Sequence, residues 1–162
     1  MTRIALVTDS SSDLTREIYQ ENGITVVPLT VHFGDESFID TVEISSSEFF
    51  DKLKRSQVMP KTSQPSPADF VAVYQRLLKS HDFVFSVHIS SKMSGTVQSA
   101  QIAAETVNPD VIEVVDGRAV SLVTGLMVLE GAEAIRQGKS VDDVRESIQH
   151  VLGSFGLYWT LD

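Results

Sequence analysis

The sequence predicts an α/β domain of three layers, in which helices cover both faces of a mostly parallel β-sheet. Four short apolar segments predict strands, and the first of them lacks the alternation of apolar and polar residues that marks a half-exposed strand, which is typical of a strand buried on both faces. They are Ile4–Val7, Ile24–Val27, Phe83–Val87 and Val111–Val115. Segments with helical spacing of apolar residues lie between them, and this alternation builds βαβ units with right-handed crossovers.

Helices are predicted from the spacing of apolar residues and from capping residues at their ends. Asp13, Ser66 and Ser140 each precede a helical pattern and can accept hydrogen bonds from the free N–H groups of its first turn. Asn108–Pro109 and Gly138 end two of the patterns, because proline and glycine do not continue a helix readily. We expect helices at Leu14–Glu21, from Ser45–Ser47 through Leu53, from Pro67 through Leu78, and at Thr96–Thr106, Arg118–Gln137 and Val141–Leu152.

Two further segments predict a hairpin and a loop. Leu29–Phe33 and Glu36–Ile39 flank the turn signal Gly34–Asp35, which indicates a small antiparallel extension at the edge of the domain. Ser56–Pro67 is rich in proline and serine and separates two helical patterns, so we interpret it as a loop.

Composition excludes several classes of protein. The chain has 162 residues, no cysteine and a formal net charge of -9. Disulfide scaffolds, thiolate nucleophiles and cysteine-based metal sites are therefore excluded, and the excess of acidic residues argues against a nucleic-acid partner. The apolar runs are too short for a transmembrane segment, and the first of them ends at Thr8–Asp9, too early for a signal peptide. We expect a cytoplasmic protein without a metal or cofactor.

Polar clusters follow the predicted strands, at the edge where α/β sheets bind ligands. Hydroxyl groups and the free N–H groups of helix starts can hold a carboxylate or phosphate there. Ser94–Thr96 fits an anion best, since Gly95 would let a ligand approach the backbone closely. Taken alone, each cluster is also what a helix cap looks like. The clusters are Thr8–Asp13, Lys61–Pro67, Ser90–Thr96 and Asp116–Arg118.

Enzyme signatures are weak at this edge. Lys92 stands two residues before Ser94, where a nucleophile elbow needs glycine, and no phosphate-binding glycine motif occurs. His88 could act as a base or as a donor to an anion, and Asp9 as a reactive carboxylate, but no nucleophile, base and orienting group share a credible spacing. Met93 beside the polar turn could line an apolar pocket, and an apolar tunnel leading to hydroxyl groups would suit a fatty acid.

Three interpretations follow from the residues. The first is a non-enzymatic lipid-binding module. The alternative is a small-anion enzyme, a phosphotransferase or hydrolase that uses Asp9 or His88. The third is a fragment that docks on a partner through an incomplete face.

Five segments together form a recognisable combination of motifs: VTDSSSDL at 7–14, VVPL at 26–29, KTSQPSP at 61–67, SSKMSGTVQSA at 90–100 and VVDGRAVSLVTGL at 114–126. With these motifs the chain resembles the first domain of the DegV family of bacterial fatty-acid-binding proteins. The succession of KTSQPSP and SSKMSGT is the most specific part of the resemblance, which covers essentially the whole chain. The resemblance implies a protein that holds a long-chain fatty acid, such as palmitate, between two domains.

The resemblance also implies site residues and a partner. Thr62 and Ser94 would hold the carboxylate. Weaker candidates around the same head group are Ser10, Ser63, His88, Gly95 and Thr96. Bacterial members are carriers without catalytic residues, which present the acid to a fatty acid kinase for phosphorylation to an acyl phosphate.

The end of the chain predicts a domain boundary. Residues 1–153 should form the DegV-like lipid-binding domain. The break at Gly153–Gly156 is followed by a strand-like run, Leu157–Thr160. We therefore expect residues 154–162 to begin a second domain.

Overall fold

Four parallel strands form the central sheet in the computed structural model, which describes residues 2–155. The strands of the chain are β1 (Ile4–Asp9), β2 (Ile24–Val27), β3 (Thr30–Phe33), β4 (Glu36–Ile39), β5 (Lys61–Ser63), β6 (Phe83–His88) and β7 (Ile112–Asp116). The central sheet has the order β2-β1-β6-β7, and every pair of neighbours in it is parallel. The predicted mostly parallel sheet is confirmed.

Helices cover both faces of this sheet and complete the predicted three layers. They are α1 (Arg16–Glu21), α2 (Ser46–Arg55), α3 (Pro67–Leu77), α4 (Thr96–Val107), α5 (Leu122–Arg136) and α6 (Val141–Ser154). Met127 of α5 and Ile148 of α6 belong to the core cluster on one face, and Phe70 of α3 and Ala100 of α4 to the cluster on the other. Among the helices of residues 2–155, none combines the length and apolar character needed to cross a bilayer.

Burial on both faces explains why the sequence of strand β1 is apolar without alternation. All six of its residues are buried. Ile4 and Leu6 contact the core beneath α5 and α6, whereas Ala5 and Val7 contact the core beneath α3 and α4. Burying a Leu, Ile or Val side chain contributes about 1.5–3 kcal/mol, so both faces of this strand stabilise the fold.

A second, antiparallel sheet is formed by β4, β3 and β5 in that order. Val31 and Phe33 of β3 are buried against Phe49 and Leu53 of α2. The hairpin prediction is confirmed, but the prediction that Ser56–Pro67 is entirely a loop is wrong, since β5 lies within it and pairs with β3. A strand of three residues is too short to show a period of two, and its pairing depends on a distant partner.

The first turn after β1 differs from the predicted helix cap. Asp9 caps a short 3-10 helix at Ser10–Ser12, and Asp13 follows it in the left-handed conformation with φ of 54°. Thr15 is the residue that caps α1, through its side-chain oxygen. The prediction that Asp13 caps this helix is therefore wrong, because the 3-10 turn delays the helix start.

Helix α5 also starts later than predicted. Arg118 and Ser121 have positive φ values of 49° and 62°, which a right-handed helix does not allow, so the helix begins at Leu122. The caps of α3 and α6 agree with the sequence: Ser66 and Ser140 each form a capping box. The predicted strand Leu157–Thr160 lies outside the described residues.

A buried chain of hydrogen bonds fastens β6 to β1 and α3. The Tyr74 hydroxyl donates to Ser86 Oγ at 2.8 Å, Ser86 Oγ lies 2.7 Å from His88 Nε2, and His88 Nδ1 lies 2.9 Å from Asp9 Oδ2. Ser86, His88 and Asp9 are fully buried, as is Tyr74. Because a carboxylate only accepts hydrogen bonds, the His88 ring proton is assigned to Nδ1, facing Asp9, and Nε2 then accepts from the Ser86 hydroxyl.

The carboxylate of Asp9 fixes the turns that follow two strands. Its Oδ2 accepts the Ile89 amide at 3.1 Å, and its Oδ1 accepts the Ser11 amide at 3.0 Å and the Ser11 hydroxyl. Burial raises the pKa of Asp9, but the hydrogen bonds from His88, Ser11 and Ile89 outweigh burial, so the pKa lies below its ordinary value of 3.8. Asp9 is therefore ionised in the interior and holds the ends of β1 and β6 together.

Replacing Asp9 by asparagine should lower the free energy of unfolding by about 3 kcal/mol, since a buried carboxylate with several donors loses its charge. Urea denaturation of the chain measures this change. Asp110→Asn is the matched control, because Asp110 is exposed and should change the free energy by less than about 0.5 kcal/mol.

A comparison of the wild type with Asp9→Asn at different pH values tests the lowered pKa of Asp9. A lowered pKa in the folded state stabilises the fold above the unfolded value of 3.8, and this contribution is lost as the pH falls through the folded value. The difference in the free energy of unfolding between wild type and Asp9→Asn should therefore become smaller as the pH falls below 3.8. A difference that does not change with pH would contradict a lowered pKa of Asp9.

Candidate functional site

A pocket of about 580 Å³ lies at the carboxyl edge of the central sheet, between β5 and the start of α4. It brings together residues from two separate sequence motifs and from the ends of β2 and β6. Its lining residues are Leu29, Thr62, Ser63, Gln64, Ile89, Met93, Ser94 and Gly95. The two residues predicted to hold a carboxylate, Thr62 and Ser94, thus share one pocket.

Ser94 lies at the positive end of α4, a helix of 12 residues. Its hydroxyl accepts the Thr96 amide at 3.3 Å and lies 2.9 Å from Thr96 Oγ1. If Thr96 donates its hydroxyl proton as well, the Ser94 proton is left to donate to an anion. Gly95 caps the helix without a side-chain hydrogen bond, so the first turn presents backbone donors at the same end.

Thr62 approaches the pocket from the opposite side. It is the central residue of β5, pairs with Val31 of β3 and is exposed. Its hydroxyl takes part in no hydrogen bond within residues 2–155, so both its proton and its lone pairs are available to a ligand. Neighbouring Ser63 lines the pocket too, but its hydroxyl contacts His32 at 2.8 Å.

Gln64 joins the two motifs, a role that the sequence did not indicate. Its side chain crosses Gly95 so closely that a Cβ at that position would lie 2.3 Å from Gln64 Oε1. Its Nε2 donates to Ser99 Oγ of α4 at 3.2 Å. The close approach that we expected from a ligand at Gly95 is thus made by a side chain of the protein. The only signal in the sequence was the position of Gln64 inside the proline-rich segment.

Ser10 and His88 do not reach the pocket, although both are predicted site residues. Ser10 is buried, and its Oγ accepts the Leu29 amide at 3.1 Å. His88 is fully buried and bonded to Asp9, which in turn holds the Ile89 amide. Both residues therefore lie behind the pocket and position the backbone of two residues that line it. Thr96 is also fully buried, beneath Ser94.

The buried chain of Ser86, His88 and Asp9 has the order of donors found in a hydrolase triad, but its burial argues against that activity. All three side chains are inaccessible to solvent, and the Ser86 hydroxyl is occupied by Tyr74 and His88. Asp9 and His88, the residues on which the small-anion enzyme would depend, are thus both closed off from solvent. Within residues 2–155, no three metal-ligating side chains converge.

The cluster after β7 lies apart from the pocket. Asp116 accepts the Ser91 amide at 3.1 Å and the Arg118 amide at 3.0 Å. Burial raises the pKa of Asp116, but these hydrogen bonds and that of the Ser91 hydroxyl lower it more, so the net pKa is lowered. Asp116 is thus a turn residue that anchors the segment leading to Ser94.

Gly95→Ala should destabilise the chain by about 1 kcal/mol, because the new methyl group displaces the end of Gln64 and breaks its hydrogen bond to Ser99. The backbone at Gly95 has φ of -77°, which alanine adopts without strain. In a Gln64→Ala background the substitution should have almost no effect on urea denaturation. An equal loss of stability in both backgrounds would mean that Gln64 is not the reason for glycine here.

Known proteins are similar to this chain in sequence and in architecture. The profile of the family described as "Uncharacterised protein, DegV family" matches residues 3–162. A DegV domain-containing protein of Deinococcus radiodurans is 42% identical over 159 residues, which are 98% of this chain and 56% of that protein. The chain therefore spans about half the length of the curated relatives it matches.

Solved structures agree with the sequence match. A DegV family protein of Thermus thermophilus, described by its fatty acid binding, is 44% identical with a TM-score of 0.84, over 92% of this chain and 53% of that one. DegV of Bacillus subtilis, described as a fatty acid binding protein, is 34% identical with a TM-score of 0.85, over 93% of this chain and 54% of that one. With the fold, the motifs and the profile in agreement, the chain belongs to the DegV family.

Proposed function

We propose that the chain contributes one wall of a site for a long-chain fatty acid and binds its carboxylate in the pocket between β5 and α4. The observation that carries the proposal is that Thr62 and Ser94 line one pocket, at the positive end of a helix. The fatty acid binding of the T. thermophilus and B. subtilis relatives supports the ligand class.

The pocket combines the two chemistries that a fatty acid needs. Hydroxyl donors and helix N–H groups suit the carboxylate, and they matter more because the net charge of -9 repels an anion at long range. Leu29, Ile89 and Met93 line the same pocket, and Met93 is 60% exposed. A flexible, exposed methionine is suited to contact an acyl chain as it leaves the head group.

The chain would act as a carrier, without catalytic residues of its own. A fatty acid kinase would supply the chemistry: a carboxylate oxygen attacks the γ-phosphorus of ATP, an acyl phosphate forms and ADP leaves. This role is consistent with a head-group pocket that opens to solvent and with an interior Asp9–His88 pair that no substrate reaches. The part of the protein that relatives carry beyond this chain, which residues 154–162 would begin, would provide the opposite wall.

Removing either hydroxyl should weaken palmitate binding about ten- to a hundredfold, because a hydrogen bond to a charged group contributes about 1.5–3 kcal/mol. The variants are Ser94→Ala and Thr62→Val. Titration of the purified chain with palmitate, followed calorimetrically, gives the affinity, and mass spectrometry of an organic extract identifies acids retained during purification.

Two hydroxyls of other helices serve as matched controls, one on a half-buried and one on an exposed residue. Ser147 and Thr106 donate only to carbonyl groups of their own helices, at 2.9 and 2.7 Å. Ser147→Ala and Thr106→Val should leave palmitate affinity unchanged. Equal affinity of Ser94→Ala, Thr62→Val and wild type would refute the assignment of the carboxylate site.

The carrier role predicts which protein forms ADP. Palmitate-loaded chain mixed with ATP and a fatty acid kinase should yield ADP and acyl phosphate, and Ser94→Ala should reduce the yield in proportion to its occupancy. The chain with ATP alone should yield neither. Formation of ADP without the kinase would contradict a purely carrier function.

A further inference from the structure

His32 spans the second sheet and reaches the wall of the head-group pocket. It lies on β3, between the other two strands of that sheet. Its Nδ1 is 2.8 Å from Ser37 Oγ of β4, and its Nε2 is 2.8 Å from Ser63 Oγ of β5. Ser63 lines the pocket, next to Thr62. The imidazole therefore contacts the hydroxyl of a residue that lines the pocket.

The tautomer of His32 decides what Ser63 can offer. A neutral imidazole has one N–H donor and one acceptor nitrogen, and each serine has one proton. When Nε2 is unprotonated, it accepts a hydrogen bond from the Ser63 hydroxyl. The Ser63 oxygen can then only accept a hydrogen bond from a ligand. When Nε2 carries the proton, it donates to Ser63 Oγ, and the Ser63 proton is free to donate to a ligand.

His32 differs in this respect from buried His88. The carboxylate of Asp9, which only accepts hydrogen bonds, fixes a His88 proton on Nδ1. Both partners of His32 are serine hydroxyls that can turn, and nothing in residues 2–155 fixes which nitrogen carries its proton. A ligand that accepts from Ser63 can therefore select the state of the ring.

We propose that His32 is a positioning residue that turns Ser63 into a third hydroxyl donor for the carboxylate, and that ligand binding selects the form with the proton on Nε2. The inference rests on the proposed function. It assigns the polarity of the site: an anion, which only accepts hydrogen bonds, is favoured over a ligand that donates. Ser37 stabilises this form of the ring, because its hydroxyl can donate to the unprotonated Nδ1 of His32.

The 15N NMR spectrum of the chain with 15N-labelled histidine tests the proposal. In the palmitate complex the Nε2 signal of His32 should show the shift of a protonated nitrogen, and the His88 signals should be the same with and without palmitate. His32→Gln, which lacks the His32 signals, assigns them. An unprotonated Nε2 of His32 in the complex would overturn the proposal.

Substitutions separate this role from a structural one. A glutamine amide reaches the position of Nε2 and can donate to Ser63, whereas an asparagine amide reaches only the position of Nδ1. Palmitate affinity should thus stay within about threefold in His32→Gln and fall about three- to tenfold in His32→Asn. In a Ser63→Ala background, which itself weakens binding by a similar factor, the two variants should bind alike.

The outcomes distinguish the two proposals. If wild type binds palmitate and His32→Gln and His32→Asn bind equally well, the role of His32 is refuted and the carboxylate site stands. If wild type binds palmitate and neither Ser94→Ala nor Thr62→Val weakens that binding, the carboxylate site is refuted, and the role of His32 with it.

Discussion

The buried hydrogen bond between His88 and Asp9 is the contact on which the binding edge of this domain depends. It joins the carboxyl ends of β1 and β6, the two central strands of the main sheet. Through Asp9 it also holds the Ile89 amide and the turn after β1, whose Ser10 holds the Leu29 amide. A buried charge is weak evidence of stability by itself, but here its donors fix the backbone of two segments that form one pocket.

Burial decides between two interpretations of the same residue types. Serine, histidine and aspartate in hydrogen-bonded order suggest acyl transfer when the serine faces a cleft. In this chain all three residues are present in that order, but they are buried, and the Ser86 hydroxyl already accepts a hydrogen bond from Tyr74. Thr62 and Ser94, by contrast, line a pocket, and within residues 2–155 neither hydroxyl is hydrogen-bonded to a histidine or a carboxylate. This arrangement suits holding an anion better than attacking a carbonyl group.

Local patterns predicted the parts of the fold that depend on local physics. The unbroken apolar run of β1 indicated burial on both faces, and Ser66 and Ser140 indicated helix starts. Both signals lie within a few consecutive residues. Strand β5 escaped prediction because its pairing depends on β3, about 30 residues earlier. The same holds for the site: motifs grouped Thr62 with Ser94, but Gln64 crossing Gly95 and His32 reaching Ser63 are contacts between distant segments.

A crystal structure of the chain with palmitate is the most direct test of the central claim, that the pocket between β5 and α4 holds a carboxylate. The carboxylate oxygens should lie within hydrogen-bond distance, about 2.6–3.0 Å, of Thr62 Oγ1 and Ser94 Oγ, with the acyl chain starting along Met93. A carboxylate bound elsewhere on the chain, with Thr62 and Ser94 left to solvent, would contradict it.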